Sequence, residues 1–129
     1  MATGFPAATG DVLSASAFNG LVAYSLNAQT GTTYTTVLAD SYQMLITQSN
    51  ASANAIKIPT NASVAHPVGT VITVLNIGAG LCTISAVSSG TTTILSAGAT
   101  AAAPTLAQYK SAACIKTATD TWYVVGAIA

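Results

Sequence analysis

From Thr32 onward, hydrophobic and polar positions alternate in short runs rich in β-branched residues, with turn formers between them. Runs of this kind predict strands, because successive side chains of an extended chain point to opposite faces. Eight strands are predicted: Thr32–Ala39, Gln43–Gln48, Asn54–Ile58, Thr70–Asn76, Leu81–Ala86, Thr92–Leu95, Gln108–Lys116 and Trp122–Ile128. Asp40-Ser41, the polar run 49–53, Pro59 and Pro67 mark turns or loops between them. No ten-residue stretch of this region carries helical periodicity. Short, evenly spaced strands with Gly/Ser/Asn turns predict an all-β domain built as an antiparallel β-sandwich. An eight-stranded jelly roll is the leading topology, and another Greek-key sandwich the second.

Residues 1–30 lack this alternation and are punctuated by Gly4, Pro6, Gly10 and Gly20. An extended N-terminal arm over 1–30, ahead of a sandwich domain over 31–129, is therefore expected. Within the arm, Ser14–Asn19 has the pattern of a short helix. Asp11 or Ser14 would cap it, and Leu13, Ala17, Phe18 and Leu21 would form its apolar face. Phe5, Phe18 and Tyr24 need burial, whether in the domain's own core, in a neighbouring subunit or on a host surface.

The strands themselves raise the question of partners. In Thr70–Asn76, Val71, Thr73 and Leu75 lie on one face and Ile72 and Val74 on the other, so both faces are largely apolar. Trp122–Ile128 shows the same two-sidedness. A sandwich strand with one solvated face shows polar residues there. Strands apolar on both sides need a second cover, and in a domain this small another subunit is expected to supply it.

Composition strengthens that expectation. Ala, Thr, Ser and Gly make up 68 of 129 residues, and only Lys57, Lys110, Lys116, Asp11, Asp40 and Asp120 carry formal charge. A typical soluble domain is roughly 25% charged, against 5% here. A surface so weakly charged, with net charge near zero, is poorly protected against association. A hydroxyl- and amide-rich surface, partly covered by partners, is the reading that fits.

Charge also excludes partners. Three lysines without any arginine cannot form the basic patch a nucleic acid requires, nor hold an anionic membrane surface. The apolar stretch 68–87 is of membrane-spanning length, but Gly69, Gly78, Gly80 and several Thr, Ser and Asn residues break it into strands and a turn. No basic segment followed by an apolar core opens the chain, so no secretion signal is expected. Cys82 and Cys114 lie in strand-like runs, where they act as buried free thiols or pair if their strands are neighbours. Synthesis in the cytoplasm disfavours the pair.

Reactive groups are few. His66 is the only histidine and precedes Pro67 in a loop, where a structural role is expected unless the fold brings Ser, Cys or Asp to it. Asp11, Asp40 and Asp120 sit near element ends, where turns and caps account for them. There is no carboxylate pair, no metal-ligand spacing, and no strand–helix context that would make Gly78-Ala-Gly80 a phosphate cradle. Asn50-Ala-Ser52 and Asn61-Ala-Ser63 match the glycosylation sequon, but turn-forming amides are the expected role. Trp122, beside Tyr123, is expected in the core or an interface rather than as a carbohydrate anchor. No catalytic, cofactor-binding or metal-binding residue is assigned, and a non-enzymatic protein without cofactors is expected.

Several segments resemble a module of tailed-phage virion proteins. They are Thr36–Asp40, Ser49–Pro59 (SNASANAIKIP), Ser63–Thr70 (SVAHPVGT), Ile77–Ile84 (IGAGLCTI) and the closing pattern from Ala107-Gln-Tyr109 to Thr119-Asp-Thr-Trp122. Together they span about residues 34–126. Gly10–Asn19 (GDVLSASAFN) is similar to a lead-in near the start of phage fibre and decoration proteins. The sequence departs from the module at Ala118, where Gly is usual, and at His66, where an aromatic such as Phe is common. The resemblance implies a virion structural role. A short chain with one arm and one sandwich suits a capsid decoration, or cement, protein on the capsid exterior. It would be a homotrimer bound to the major capsid protein. The alternative is a receptor-binding tip of a tail fibre or spike.

Overall fold

A computed structural model of the protein describes residues 14–15 and 24–129, and in it the alternating runs form two facing β-sheets. The strands are β1 (Ser25–Gln29), β2 (Thr33–Thr35), β3 (Met44–Gln48), β4 (Asn54–Ile58), β5 (Val71–Asn76), β6 (Cys82–Ala86), β7 (Thr93–Ser96), β8 (Thr105–Leu106), β9 (Lys110–Ala118) and β10 (Thr121–Gly126). One sheet has six strands in the order β1-β3-β5-β9-β10-β7, and the other four, β2-β4-β6-β8. The helix expected over Ser14–Asn19 lies outside the described residues, apart from Ser14 and Ala15.

The chain winds between the sheets. β1, β3 and β5 are parallel neighbours in the larger sheet. The strands between them, β2, β4 and β6, are parallel neighbours in the smaller one. Each return to a sheet therefore completes a full turn. β7 then crosses to the far edge of the larger sheet and pairs parallel with β10. β9 fills the gap, antiparallel to both β5 and β10. β8 closes the smaller sheet, antiparallel to β6.

The all-β, two-sheet expectation holds, but an antiparallel, eight-stranded jelly roll does not describe this connectivity. The described residues contain ten strands, and most neighbouring pairs are parallel. Parallel strands need a crossover connection, and over β1–β6 a strand of the opposite sheet provides each one, whereas β7 reaches β10 through β8 and β9. Two strands were not anticipated: β8, and β1, which lies inside the segment expected to be an arm. The predicted strand Thr32–Ala39 is only three residues long as a strand and gives way to a 3₁₀ turn at Leu38–Ser41. Asp40 stabilises that turn by accepting a hydrogen bond from the Val37 backbone N–H at 2.9 Å.

The core lies between the sheets. Ile46, Ile56, Ile58, Ile72, Val74, Cys82, Ile84, Ile94, Leu106, Cys114, Trp122 and Val124 are all buried there. At one end of the larger sheet the inward row becomes polar, with Gln29, Gln48 and Asn76 aligned across β1, β3 and β5. Asn76 Nδ2 donates to the carbonyls of Gly80 and Leu106 at 2.9 and 2.8 Å, and Gln48 Nε2 donates to the Gly31 carbonyl. The corners beside this row stack backbone against backbone. A Cβ at Gly80 would lie 1.9 Å from the Ser52 carbonyl oxygen, and one at Gly78 would lie 2.3 Å from the Asn50 nitrogen. The Gly-Ala-Gly turn thus exists because successive windings touch there.

Candidate interaction surface

Two places collect the residues singled out by sequence. The first is a buried polar cluster around His66, in the loop from β4 to β5. His66 is 2% exposed. Its Nδ1 lies 2.5 Å from Ser41 Oγ, and its Nε2 lies 3.0 Å from Thr36 Oγ1. The ring stands edge-on to Trp122, with centroids 5.4 Å apart and planes at 90°. Beneath it, the buried Lys116 ammonium donates to the His66 carbonyl at 2.7 Å and to Asn61 Oδ1 at 2.6 Å. Burial first, and then the Lys116 charge, push the imidazole below its usual range.

Alongside, Asp40 accepts hydrogen bonds from the Tyr34 hydroxyl (2.6 Å) and from Asn27 Nδ2 (3.1 Å). Burial and the Asp40 carboxylate push the Tyr34 phenol up to about 12. The fold therefore does bring a serine to the histidine. Yet Thr36 takes the other ring nitrogen, and His66, Thr36 and Trp122 are each no more than 2% exposed. A general base must reach a bound substrate, and this imidazole is spent on tying the 59–70 loop to the 3₁₀ turn. Trp122 sits in the core, as expected for an aromatic of the last strand.

The other aspartate in the described residues has a similar structural role. Asp120 adopts a positive φ of 55° in the β9–β10 turn, a conformation Asp tolerates. Its Oδ1 accepts from the Asn61 N–H at 2.7 Å and from the Thr92 hydroxyl at 3.2 Å. Ala118, where the module usually has Gly, is the last residue of β9 and needs no glycine-like backbone. Cys82 and Cys114 are free, buried thiols, with pKa values pushed up to about 11 and about 12 by burial. Among the described residues, no group of three or more His, Cys, Asp or Glu side chains could hold a metal. No helix there is long and apolar enough to cross a membrane.

The second place is the outer face of the six-stranded sheet. Since Ile46, Ile72, Val74, Cys114, Trp122 and Val124 point inward, strand alternation sends the residues between them outward. The register lines them up across the sheet. One row runs Leu26, Leu45, Thr73, Ala113 and Val125; the next runs Val71, Ile115, Tyr123 and Leu95. No formally charged side chain interrupts either row. Leu26 is 65% exposed, and Val71, Leu95, Tyr123 and Val125 are exposed as well. Toward the β7–β10 edge the face deepens into an apolar groove of about 410 Å³, lined by Leu95, Ala97, Tyr123, Val125 and Ile128 among others.

The outer face of the smaller sheet is chemically opposite. Its outward residues are Thr33, Thr35, Ala55, Lys57, Thr83, Ser85 and Thr105. The Lys57 ammonium lies across it and donates to Ser85 Oγ at 2.8 Å. One side of the molecule is thus hydroxylic and the other uncharged and mainly apolar, with Thr73, Thr47 and Ser111 as hydroxyl-bearing positions on it. Monomeric soluble proteins rarely expose apolar patches beyond a few hundred Å², and larger ones mark interaction sites.

The two-sided apolar strands, β5 and β10, announced this face in the sequence. Leu26 and Leu95 were missed, whereas Tyr24 is among the aromatics that the sequence marks as needing burial. The available signal was the alternation Tyr24-x-Leu26-x-Ala28, hidden because the inward partners Ser25, Asn27 and Gln29 are polar. Comparison of the chain with models of protein families, with curated proteins and with solved structures returned no match.

Proposed function

We propose that this chain is a non-enzymatic virion structural protein: a capsid decoration protein that works as a homo-oligomer, a trimer, on the outer surface of the major capsid protein. The observation that carries the reading is the uncharged apolar face of the six-stranded sheet, set against a hydroxylic opposite face. A face of this kind suits a protein that lives in an assembly. The resemblance of residues 34–126 to the phage virion module supplies the kind of assembly. The role is mechanical: covering seams between capsomers and adding buried area there, with a gross gain of ~25 cal/mol per Å² of apolar surface before association costs.

The test is to add the purified chain to capsids lacking it and to image the particles by cryo-electron microscopy. Added density at three-fold positions between capsomers is the expected result. Density at the tail apex would favour a receptor-binding tip instead, and no added density would overturn the capsid assignment.

A further inference from the structure

Lys116 is 2% exposed, and both hydrogen-bond acceptors of its ammonium are neutral oxygens: Asn61 Oδ1 at 2.6 Å and the His66 carbonyl at 2.7 Å. The Trp122 ring centroid lies 5.9 Å from Nζ. A buried lysine is ordinarily paired with an anion, because a lone buried charge is costly. Here a carboxamide is held against the ammonium instead. Both members of the pair are fixed through their backbones. The Lys116 N–H donates to the Thr70 carbonyl at 2.9 Å, and its carbonyl accepts from the Gly69 N–H at 2.8 Å. The Asn61 N–H donates to Asp120 Oδ1 at 2.7 Å. From the hydrogen-bond length, a C=O bond of ~1.23 Å and an approach angle of ~120° put Nζ about 3.4 Å from Asn61 Cγ. That is the separation of a near-attack arrangement.

We infer that Lys116 and Asn61 join in an intramolecular isopeptide bond, Nζ to Cγ, which the folded chain forms by itself with release of ammonia. One ammonium proton passes to Oδ1 along the existing hydrogen bond, which frees the Nζ lone pair and makes Cγ electrophilic. Nζ adds to Cγ, and the Cγ–Nδ2 bond breaks as the tetrahedral carbon collapses. Of the three protons on the starting ammonium, one stays on the new amide nitrogen. The other two leave with the NH2 group as an ammonium ion. One C–N bond forms and one breaks, so no oxidant or further reactant is needed.

Two effects favour the step. Aminolysis of a carboxamide is very slow in water, but partners held in this way reach effective molarities on the order of 10⁵ M or more. The product also replaces a buried cation by a neutral amide, which removes the cost of the unpaired charge. Asn61 is only half-buried, so the released ammonium ion escapes by dilution. The bond ties the 59–70 loop to β9 across 55 positions of the chain. Burial, the larger cause of the depressed His66 pKa, is untouched by it.

The experiment is mass spectrometry of the purified full chain, denatured so that only covalent bonds persist. The mass should fall about 17 Da below that of the sequence, the loss of one NH3. Trypsin has sites after Lys57, Lys110 and Lys116. The bond should leave Lys116 uncut and give one branched peptide joining residues 58–110 to residues 111–129. Lys116→Arg, whose guanidinium stays protonated, and Asn61→Ala should each return to their full sequence masses. A wild type at full mass would overturn the inference, as would release of a free 111–116 peptide. An asparagine that closes on its own backbone loses the same mass, most readily at Asn19-Gly20. A loss mapped to residues 1–57 would therefore also overturn it.

Discussion

The stacking of windings at the Gly78-Ala-Gly80 turn makes a sharp prediction, because the same substitution should have opposite signs at two glycines. At Gly80, an added methyl would sit 1.9 Å from the Ser52 carbonyl oxygen, 2.4 Å from its carbon and 2.8 Å from the Asn50 oxygen. An ordinary contact needs at least about 3.4 Å, and every obstructing atom is backbone. No side-chain rotation can relieve the clash, so one corner must move by more than 1 Å. Three of the hydrogen bonds that cross this seam lie next to the clash: Gly80 N–H to the Asn50 carbonyl (2.8 Å), Asn54 N–H to the Leu81 carbonyl (3.0 Å), and Gly78 N–H to the Gln48 carbonyl (3.2 Å). At ~1 kcal/mol each, their loss costs about 3 kcal/mol, before any strain passed into the buried amide row.

At Gly90, nothing lies within 4 Å of the added methyl, and the backbone is not left-handed. There the substitution acts on the unfolded chain, restricting it and stabilising the protein by about 0.4–1 kcal/mol. Unfolding entropy of ~2.1 cal/mol/K per residue, over this chain, gives about 0.27 kcal/mol per degree. Gly80→Ala should therefore lower the melting temperature by roughly 11 °C, and Gly90→Ala should raise it by about 2–4 °C. Differential scanning calorimetry of the two variants against the wild type decides the matter. If Gly80→Ala melts within about 2 °C of the wild type, the windings do not touch as described and the reasoning fails.

Other expectations follow from the buried groups. The His66 imidazole has a lowered pKa, so the fold favours its neutral form. Its contribution is present above the unfolded value near 6.5 and is lost as pH falls through the lower folded value. Both nitrogens could still donate to Ser41 and Thr36 when protonated; the penalty is a second buried cation near Lys116, only partly offset by Asp40. The urea midpoint should fall between pH 7 and pH 5, and His66→Gln should flatten that slope; an unchanged slope would count against the histidine as its source.

For Cys82 and Cys114, thiol pKa values of about 11 and about 12, together with burial, predict no reaction with a disulfide reagent at pH 8 until the protein unfolds. Prompt labelling of the native protein would contradict it. Replacing Asp120 by Ala removes the acceptor for Asn61 N–H and Thr92 and puts a less tolerant residue at positive φ, which should cost about 2 kcal/mol in urea unfolding. Asp120→Asn, which keeps the left-handed preference and an acceptor oxygen, should cost less than half as much.

Strand positions were readable along the chain because period-two alternation depends only on which side chains face the core. Asn54–Ile58 coincides with its strand, and Thr70–Asn76 and Leu81–Ala86 each miss theirs by one residue. Strand direction was not readable, since parallel and antiparallel neighbours place the same residues inward. The connections misled for the same reason. A short polar link such as 49–53 looks like a hairpin turn, but it carries the chain across to the opposite sheet. The polar cluster was equally hidden. His66, Lys116 and Asp40 are far apart in sequence, and no local spacing announces that Lys116 Nζ will hydrogen-bond to the His66 carbonyl and Asn61.

β1 shows most clearly how a local rule can invert. In β5 the inward residues Ile72 and Val74 are hydrocarbon, so the apolar outward positions stood out as an excess needing cover. In β1 the inward residues are Asn27, facing Tyr34 and Asp40, and Gln29, in the amide row. The apolar positions Leu26 and Ala28 therefore point away from the core, and alternation read alone would turn the strand over. Only the register, which aligns Leu26 with Leu45 and Asn27 with Ile46, sets its orientation. Once that is done, the exposed edge residues join those of β5, β9, β10 and β7 in a single, mainly apolar face. That face belongs to the whole sheet, and an argument for self-association made strand by strand from β5 and β10 could locate its middle but not its two unlike ends.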